Sequence, residues 1–275
     1  MRLSAAASRL VIGLMLTAVM LLSLGPALWV VISSFKTSTQ VLSGASPFWP
    51  DPVSVEGYLA AFKLVQWQPF ANTLLYAAGG ATGAVAAAFL AAYPLTRFPV
   101  KGGGALVICF SLALAIPVVG MATPEFFVMR TLGLLNSRPG MVAFYAAIFF
   151  PISFVILRAF LASLPQAVEE AAVIDGAGYW RILFQIVLPL ARPAVATAVV
   201  VAFVGIWNEF FYANLLISSV EVQNVQTALA AFRGQFRFNA SAVLAGTTLS
   251  MAVPITIFLL LQKQVINGLT AGATK

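Results

Sequence analysis

Long stretches without a charged residue constrain the fold of this chain more than any other feature of its sequence. Each is long enough, or nearly so, for the roughly 20 residues that a helix needs to cross about 30 Å of hydrocarbon. Five contain no Asp, Glu, Lys or Arg, and a sixth is interrupted only by Glu209: Leu10–Phe35, Ala71–Thr96, Gly102–Pro124, Pro139–Leu157, Phe238–Gln262 and, with the glutamate, Pro193–Val220. The sequence therefore predicts six membrane crossings.

The composition agrees with a membrane protein. The chain of 275 residues is 61% hydrophobic and 8% charged, whereas soluble domains carry about 25% charged residues. The short alternating segments typical of a membrane β-barrel are absent from the sequence. We predict an all-α membrane protein, a single domain over residues 1–275, with transmembrane helices at about 10–35, 71–95, 103–124, 140–161, 193–217 and 239–262. The first apolar run exceeds the roughly 7–15 residues of a signal peptide core and is predicted to be a retained span.

The cysteine and histidine content and the distribution of charge argue against several classes of function. The sequence contains no histidine and one cysteine, Cys109. This excludes a disulfide within the chain and leaves no basis for a histidine or cysteine metal site, so we predict no metal. The net charge of +7 comes from fifteen Lys and Arg residues that are scattered singly near the ends of the predicted spans. That distribution is typical of a membrane topology signal, and we predict no nucleic-acid partner.

The same basic residues indicate which way the spans run. With both termini in the cytoplasm, residues 36–70, about 124–138 and 221–237 lie outside. Nine basic residues are then inside, namely Arg2, Arg9, Arg97, Lys101, Arg158, Arg181, Arg192, Lys263 and Lys275, and six are outside, namely Lys36, Lys63, Arg130, Arg138, Arg233 and Arg237. This agrees with the positive-inside rule, and the compact basic turn PLTRFPVKGGG is its clearest signal. The segment between spans four and five then faces the cytoplasm.

That segment, residues 163–189, is predicted to form an elbow of two short helices. Ser163 and Gln166 fit a capping box at the start of the first helix. Gly176 accepts the left-handed conformation that commonly ends a helix. A second short helix is predicted from Tyr179 to about Val187, so the segment reads as helix, glycine, helix.

One face of the first elbow helix points to a partner. Small and branched apolar residues lie together at helical spacing: Ala167, Val168, Ala171, Ala172 and Ile174. Such a patch exposed to water is a liability, so a covering protein is implied. The alternative is an amphipathic helix that rests on the bilayer or on its own spans. Glu169 and Glu170 lie near the start of this helix, where negative charge complements the helix dipole.

The stretch EAAVIDGAGYWRILFQIVLP resembles the EAA signature of importer-type ABC transporter permeases. That signature is E-A-A, three residues, G, nine residues, then I-x-L-P, and this chain meets it at Glu170, Ala171, Ala172, Gly176, Ile186, Leu188 and Pro189. Three other stretches, GPALWVVISSFKT, WNEFFYANLLI and GLTAGATK, resemble the carbohydrate branch of that family, the smaller permease subunit of maltose-type importers. The resemblance covers almost the whole chain.

The resemblance implies a permease that forms half of the pore of a sugar or oligosaccharide importer in a bacterial or archaeal plasma membrane. It implies four partners: a cytoplasmic ATPase dimer, a second related permease, an extracytoplasmic solute-binding protein and membrane lipid. In this family the elbow docks on the ATPase as a coupling helix. On this chain, the resemblance implies that Glu170 would pair with a basic group of the ATPase. Ala171 and Ala172 would let the helix dock deeply in the ATPase, and Gly176 would make the turn. Asp175 is predicted to belong to the same group of ATPase-coupling residues.

The sequence does not encode a phosphate-binding loop of its own. G-x-x-x-x-G-K-[ST] is absent, and no Gly-Lys dipeptide occurs, so a backbone cradle for ATP phosphates is not present. We predict that the chain is not an enzyme and holds no cofactor, and that ATP and magnesium bind to the partner ATPase.

Polar residues in predicted span five are candidates for the substrate pathway or a gate, because polar side chains within a membrane are costly. They are Asn208, Glu209, Tyr212 and Asn214. Asn208 and Tyr212 are four residues apart and are predicted to share a helix face, with Glu209 beside them. Carboxylates, amides and aromatic rings commonly hold sugars; alternatively, these groups hydrogen-bond neighbouring helices or the partner permease.

Two alternative transport functions stay open on the sequence alone; a structural membrane scaffold without transport would leave the elbow and Glu209 without a purpose. The outer arginines, Arg130, Arg138, Arg233 and Arg237, are compatible with import of another solute such as a glycerol phosphate ester. A secondary transporter belongs to a different class. It predicts paired ionisable residues at mid-membrane or inverted repeats, whereas Glu209 stands alone in its span.

Overall fold

The computed structural model describes residues 5–44, 48–65, 67–231 and 239–271, and the regular elements among them are helices. They are α1 (Ala5–Ser33), α2 (Ser38–Ser43), α3 (Glu56–Val65), α4 (Gln68–Arg97), α5 (Gly103–Leu112), α6 (Val118–Thr131), α7 (Arg138–Ser163), α8 (Ala167–Ile174), α9 (Tyr179–Arg181), α10 (Leu188–Leu190), α11 (Arg192–Trp207), α12 (Phe211–Leu216), α13 (Val225–Ala231) and α14 (Ala240–Ala271). A 3₁₀ turn occupies Ala113–Ala115 and a π-helical turn occupies Ile182–Val187.

In the part of the chain that the structure describes, four helices are long and apolar enough to cross a membrane on their own: Val11–Ser33 in α1, Gln68–Arg97, Arg138–Ser163 and Ala240–Gln264 in α14. Two further helix pairs qualify when each is taken as one bent crossing, Gly103–Ala115 with Gly120–Thr131 and Tyr179–Leu190 with Arg192–Trp207. Within the described residues this gives up to six crossings, so the predicted all-α membrane fold is confirmed. Spans three and five nevertheless differ from their predicted form, because each is broken.

Predicted span three is not one helix over residues 103–124. The 3₁₀ turn that follows α5 ends at Ala115, and α6 begins at Val118 and continues to Thr131. Ile116 lies between them in an extended conformation, with ψ 124°, because the residue before a proline is driven out of the helical region. The next helix therefore extends beyond the predicted end of the span.

Predicted span five is interrupted as well. α11 ends at Trp207, residues 208–210 are not helical, and α12 begins at Phe211. At its other end, the helical segment Tyr179–Leu190 meets α11 at 73°. Pro193 lacks the N–H group that would carry a helical hydrogen bond to the carbonyl of Pro189 across this bend.

The chain divides into two compact units, Met1–Trp67 with Leu229–Ala252 and Gln68–Ala228 with Val253–Lys275. The second is built on close packing of α4, α7 and α11. A Cβ atom at Gly80 of α4 would lie 2.9 Å from the Cβ of Tyr145 on α7 and 2.9 Å from Cδ1 of Ile206 on α11. Small residues where helices cross are typical of membrane proteins, since they let backbones approach.

The first unit holds α1 to α3 and the first part of α14. Thr37 begins α2 with a capping box: its hydroxyl accepts from the N–H of Gln40, and the side chain of Gln40 accepts from the N–H of Thr37. The Ser38 hydroxyl donates to Oδ1 of Asn239 at 2.9 Å, which joins α2 to the start of α14. The apolar side chains of α1 are exposed along most of Val11–Ser33, as is typical of a helix that faces lipid or another subunit.

Candidate functional site

The predicted elbow is present, and its first helix ends at the predicted glycine. Gly176 has φ +80°, in the left-handed region. The N–H of Ala177 donates to the carbonyl of Ala172 at 2.9 Å, and the N–H of Gly176 donates to that of Val173 at 3.0 Å. These bonds satisfy carbonyls at the end of α8 that have no partner inside the helix.

The start of the elbow and its second arm differ from the prediction. Ser163 is the last residue of α7, and its hydroxyl donates to the carbonyl of Phe160 at 2.7 Å, so the predicted capping box is wrong. The second arm begins at Tyr179 as predicted but continues to Leu190 through the π-helical turn. Pro189 favours the wider turn, because it has no N–H to offer the carbonyl four residues before it.

α8 has an exposed face and a buried face. Glu170, Ala171 and Asp175 are exposed, and Ile174 beside them is 86% exposed. Ala172 lies on the other side, 9% exposed and packed into the hydrophobic core of its own chain. The structure therefore brings Glu170, Ala171 and Asp175 together on an accessible surface and separates Ala172 from them.

Glu169 lies on the buried side of α8 and joins it to the end of α4. Nε of Arg97 donates to Oε1 of Glu169 at 2.7 Å, and the hydroxyl of Tyr93 donates to Oε2 at 2.7 Å. The side chains of Arg97 and Glu169 are 6% and 14% exposed, so this ion pair is largely shielded from water. Nη2 of Arg97 also donates to the carbonyl of Leu164 at 3.0 Å.

The second arm of the elbow reaches the same end of α4 through aromatic rings. The ring centroid of Tyr179 lies 5.8 Å from that of Tyr93 and 5.9 Å from that of Phe98. We call the set Tyr93, Arg97, Phe98, Glu169 and Tyr179 the α4–elbow junction. A cavity of about 330 Å³ opens beside it, lined by the junction and by Gln166, Glu170, Val173, Ala177 and Ile182.

Sequence reasoning missed this junction. The local signal was the spacing of Tyr93 and Arg97, which are four residues apart and so share a helix face. The partner of that face, Glu169, is 72 residues from Arg97 in the sequence. From the charge pattern alone, Glu169 and Glu170 have the same predicted role, which is to complement the dipole at the start of the helix.

The break in span five is organised by Glu209. Its carboxylate accepts hydrogen bonds from the backbone N–H of Tyr212 at 2.8 Å, from the N–H of Ala213 at 3.0 Å and from the hydroxyl of Tyr145 at 2.7 Å. The first N–H groups of a helix have no partner within it. Glu209 therefore satisfies the start of α12 and joins the break to α7.

The predicted shared face of Asn208 and Tyr212 is wrong, because helical spacing does not continue across the break. Asn208 is exposed, and its amide donates to the carbonyl of Val204 at 2.9 Å. Asn214 is exposed too, whereas Tyr212 is 2% exposed. Glu209 and Tyr212 thus face the core of the unit, and Asn208 and Asn214 face away from it.

Two polar partners of this break were also missed. The Tyr212 hydroxyl hydrogen-bonds to Glu125 on α6, and the amide of Asn224 donates to the backbone carbonyl of Glu209 at 2.7 Å. Glu125 directly follows the uncharged run that ends at Pro124, so the hydropathy pattern placed it at the edge of a span. The structure instead places it inside a helix.

The end of α4 opposite the elbow holds a second polar cluster. Nδ2 of Asn72 donates to the carbonyls of Glu221 and Gln223, both at 2.9 Å. Arg138 donates from Nε to Oδ1 of Asn72 at 2.8 Å and from Nη2 to the carbonyl of Glu221 at 2.6 Å. Arg138 and Glu221 were both predicted to lie outside, and the structure places them together at one end of α4.

The outer arginines and possible metal ligands are the remaining charged candidates. In the part of the chain that the structure describes, no group of three or more His, Cys, Asp or Glu side chains is placed to hold a metal ion. Of the four outer arginines, Arg138 is taken up by the cluster above and Arg130 is exposed. Arg233 and Arg237 lie outside the described residues.

The family described as the binding-protein-dependent transport system inner membrane component matches residues 68–270. The chain belongs to this family. The matched range begins with α4 and includes the elbow and the break in span five. The permease is therefore an inner-membrane component of a binding-protein-dependent transport system, which sets aside the secondary-transporter alternative.

Two relatives align over most of their length. The permease is 31% identical over 251 residues to the diacetylchitobiose uptake system permease protein NgcG of Streptomyces coelicolor, covering 90% of this chain and 82% of the relative. It is 29% identical over 256 residues to the trehalose transport system permease protein SugB of Mycobacterium tuberculosis, covering 91% and 92%.

A solved structure shares the fold. A chain of a bacterial ABC transporter involved in the import of the acidic polysaccharide alginate superposes with a TM-score of 0.82 at 24% sequence identity. The superposition covers 96% of the permease and 98% of that chain. The two chains therefore have the same fold over nearly their whole length.

Proposed function

We propose that this permease forms half of the pore of an ABC importer for a sugar or oligosaccharide. Its class follows from the family, whose members are inner-membrane components of binding-protein-dependent transport systems. The substrate class is supported by the two relatives, one a permease for diacetylchitobiose uptake and the other for trehalose transport. A second, related permease completes the pore.

The exposed face of α8 supports the proposal that the permease couples to an ATPase. Ile174 is 86% exposed beside the small side chain of Ala171, and an apolar patch of this kind requires a covering partner. Glu170 at its edge selects a basic group on that partner, because a charge-assisted hydrogen bond is among the stronger polar contacts. The partner is a separate cytoplasmic ATPase that binds ATP and magnesium, and Asp175 and Gly176 complete the docking surface.

The residues of the broken span have divided roles in this proposal. Glu209 and Tyr212 hold the break, since their polar atoms are bonded within the unit. Asn208 and Asn214 face away from the unit, where they meet the solute or the second permease.

The test is a mild-detergent pull-down of the tagged permease, wild type beside Glu170→Lys, with co-purifying proteins identified by mass spectrometry. We expect wild type to recover an ATPase and a second permease, and Glu170→Lys to lose the ATPase but keep the second permease. The matched control is Glu221→Lys, the same charge reversal at the opposite end of α4, where the hydrogen bonds use the backbone carbonyl of Glu221.

Two outcomes would overturn the proposal. Wild type recovered alone, or with itself only, contradicts the importer complex. An ATPase that stays bound to Glu170→Lys contradicts docking through α8. The ligand of a co-purifying binding protein then identifies the substrate. A sugar supports the proposed substrate class. A glycerol phosphate ester contradicts that substrate class but still supports the importer complex.

A further inference from the structure

The α4–elbow junction uses both oxygens of one shielded carboxylate to join the elbow to a single helix face. Tyr93 and Arg97 share a face of α4, and they hold Oε2 and Oε1 of Glu169 at 2.7 Å each. A shift of α8 along α4 would break charge-assisted hydrogen bonds away from water, where they are strong. The position of α8 is therefore tied to that of α4.

All three parts of the elbow meet the same end of α4. Arg97 donates to the carbonyl of Leu164, in the link between α7 and α8. From α8 itself, Glu169 contacts Tyr93 and Arg97. Tyr179, the first residue of the second arm, packs its ring against Tyr93 and Phe98.

We propose that Glu169 is a positioning residue that transmits movement of the elbow to α4, while Glu170 contacts the ATPase. This inference rests on the proposed function, in which the ATPase moves α8. α4 is suited to receive the movement because it packs closely on α7 and α11 at Gly80. Its far end holds the loop at Glu221 through Asn72, so one packed helix connects the elbow to the opposite side of the unit.

The test uses the complete complex recovered by the pull-down and reads hydrogen–deuterium exchange by mass spectrometry. Exchange is compared with and without ATP, magnesium and orthovanadate in wild type, Glu169→Gln, Arg97→Gln and a control, Lys101→Gln. Lys101 is exposed four residues beyond Arg97, so the control removes a nearby positive charge without touching the junction.

In wild type and Lys101→Gln, we expect the nucleotide to change the exchange rates of α8 and of the last turns of α4 by about fivefold or more, the lower end of typical coupling between sites. In Glu169→Gln and Arg97→Gln, we expect the change in α8 alone, with the ATPase still bound because Glu170 is intact.

The double variant Arg97→Gln with Glu169→Gln separates transmission from simple stability. Each single variant leaves one charge shielded from water without its partner, which is strongly destabilising, whereas removal of both charges relieves this. We expect the thermal midpoint to fall in each single variant and to recover in the double variant. The exchange response of α4 should stay lost in the double variant.

Three results would overturn the inference alone. They are a nucleotide response of α4 that survives in the single variants, a response that returns together with thermal stability in the double variant, and a wild-type complex in which α4 does not respond. Failure of wild type to recover an ATPase is seen before any variant is measured. That failure overturns the proposed function, and with it this inference.

Discussion

Glu169 and Glu170 are neighbours in the sequence but have different surroundings in the structure. Successive residues of an α-helix are turned by about 100°, so one carboxylate meets α4 while the other faces outward. The side chain of Glu169 is 14% exposed, whereas Glu170 is an exposed residue. One is suited to contacts within the chain and the other to contacts with a partner.

Gly176 is the residue at which backbone conformation controls the elbow. Among the described residues, no heavy atom other than those of the glycine and its two chain neighbours lies within 4 Å of a Cβ built there, so a side chain has room, but its φ is +80°. An L-residue in the left-handed region costs about 1–2 kcal/mol. We expect Gly176→Val to raise the dissociation constant of the ATPase by about 5- to 30-fold, the factor that such energies give.

Gly178 is the matched control for this prediction. Beyond its two chain neighbours, a Cβ here also has no heavy atom of the described residues within 4 Å, but its φ is −75°, which any residue adopts. Gly178→Val should therefore bind the ATPase like wild type in a titration followed by fluorescence anisotropy. Equal weakening by both variants would mean that added bulk, and not the left-handed turn, is responsible.

Glu209 gives a prediction of stability at the helix break. Its carboxylate accepts from Tyr212, Ala213 and Tyr145, and an amide NH₂ group in its place cannot accept. We expect Glu209→Gln to lower the free energy of unfolding by about 1–3 kcal/mol, the cost of a shielded donor left without a partner. Thermal unfolding in detergent measures this, and partner recovery should be unchanged.

Tyr145→Phe provides the comparison, because it removes one donor and leaves the carboxylate with two. It should destabilise less than Glu209→Gln. A Glu209→Gln variant as stable as wild type would show that the carboxylate does not hold the break.

At the scale of the element, hydropathy predicted where helices occur but not where they break. The uncharged run 103–124 and the run 193–217 were each predicted to be one span, because apolar residues lie on both sides of each break. Pro117 was a visible signal for the first break. The second has no proline. Its open backbone N–H groups are satisfied by the Glu209 carboxylate, which Tyr145 of α7 also holds, and a linear pattern does not show these contacts.

In the candidate site, too, local features could be predicted from the sequence but long-range contacts could not. Gly176 could be found because a left-handed helix end is a local property. The burial of Ala172 and the pairing of Glu169 with Arg97 depend on how α8 packs on the rest of its unit, which is a long-range property. Sequence patterns therefore located the elbow, whereas the assignment of its faces required the structure.

The close packing of α4 and α7 can be tested by adding a side chain at their crossing. At Gly80 a Cβ atom would lie 2.9 Å from both Tyr145 and Ile206. Gly80→Val should therefore force the helices apart and lower the free energy of unfolding by about 1–3 kcal/mol, as overpacking typically does. Its control is Gly104→Ala, since outside its neighbours and its own helix backbone no heavy atom of the described residues lies within 4 Å of a Cβ there. Similar thermal midpoints for the two variants would contradict close packing at this crossing.

At the scale of the whole molecule, the two ends of α4 carry different contacts. One end meets the elbow through Arg97 and Glu169. The other holds the loop at Glu221 through Asn72 and Arg138. Because α4 is long enough to cross the membrane, we expect the elbow and this loop to lie on opposite sides, and the excess of basic residues predicts that the elbow side faces the cytoplasm.

Single-cysteine labelling tests this orientation, and the chain is well suited to it because Cys109 is its one native cysteine. In a Cys109→Ser background, Glu221→Cys should react with a membrane-impermeant maleimide on intact cells. Lys101→Cys, beyond the elbow end of α4, should react only after the membrane is permeabilised. The reverse pattern would place α8 outside the cell, where no cytoplasmic ATPase can reach Glu170, and would contradict coupling through the elbow. Labelling of both positions on intact cells would contradict the crossing by α4 itself.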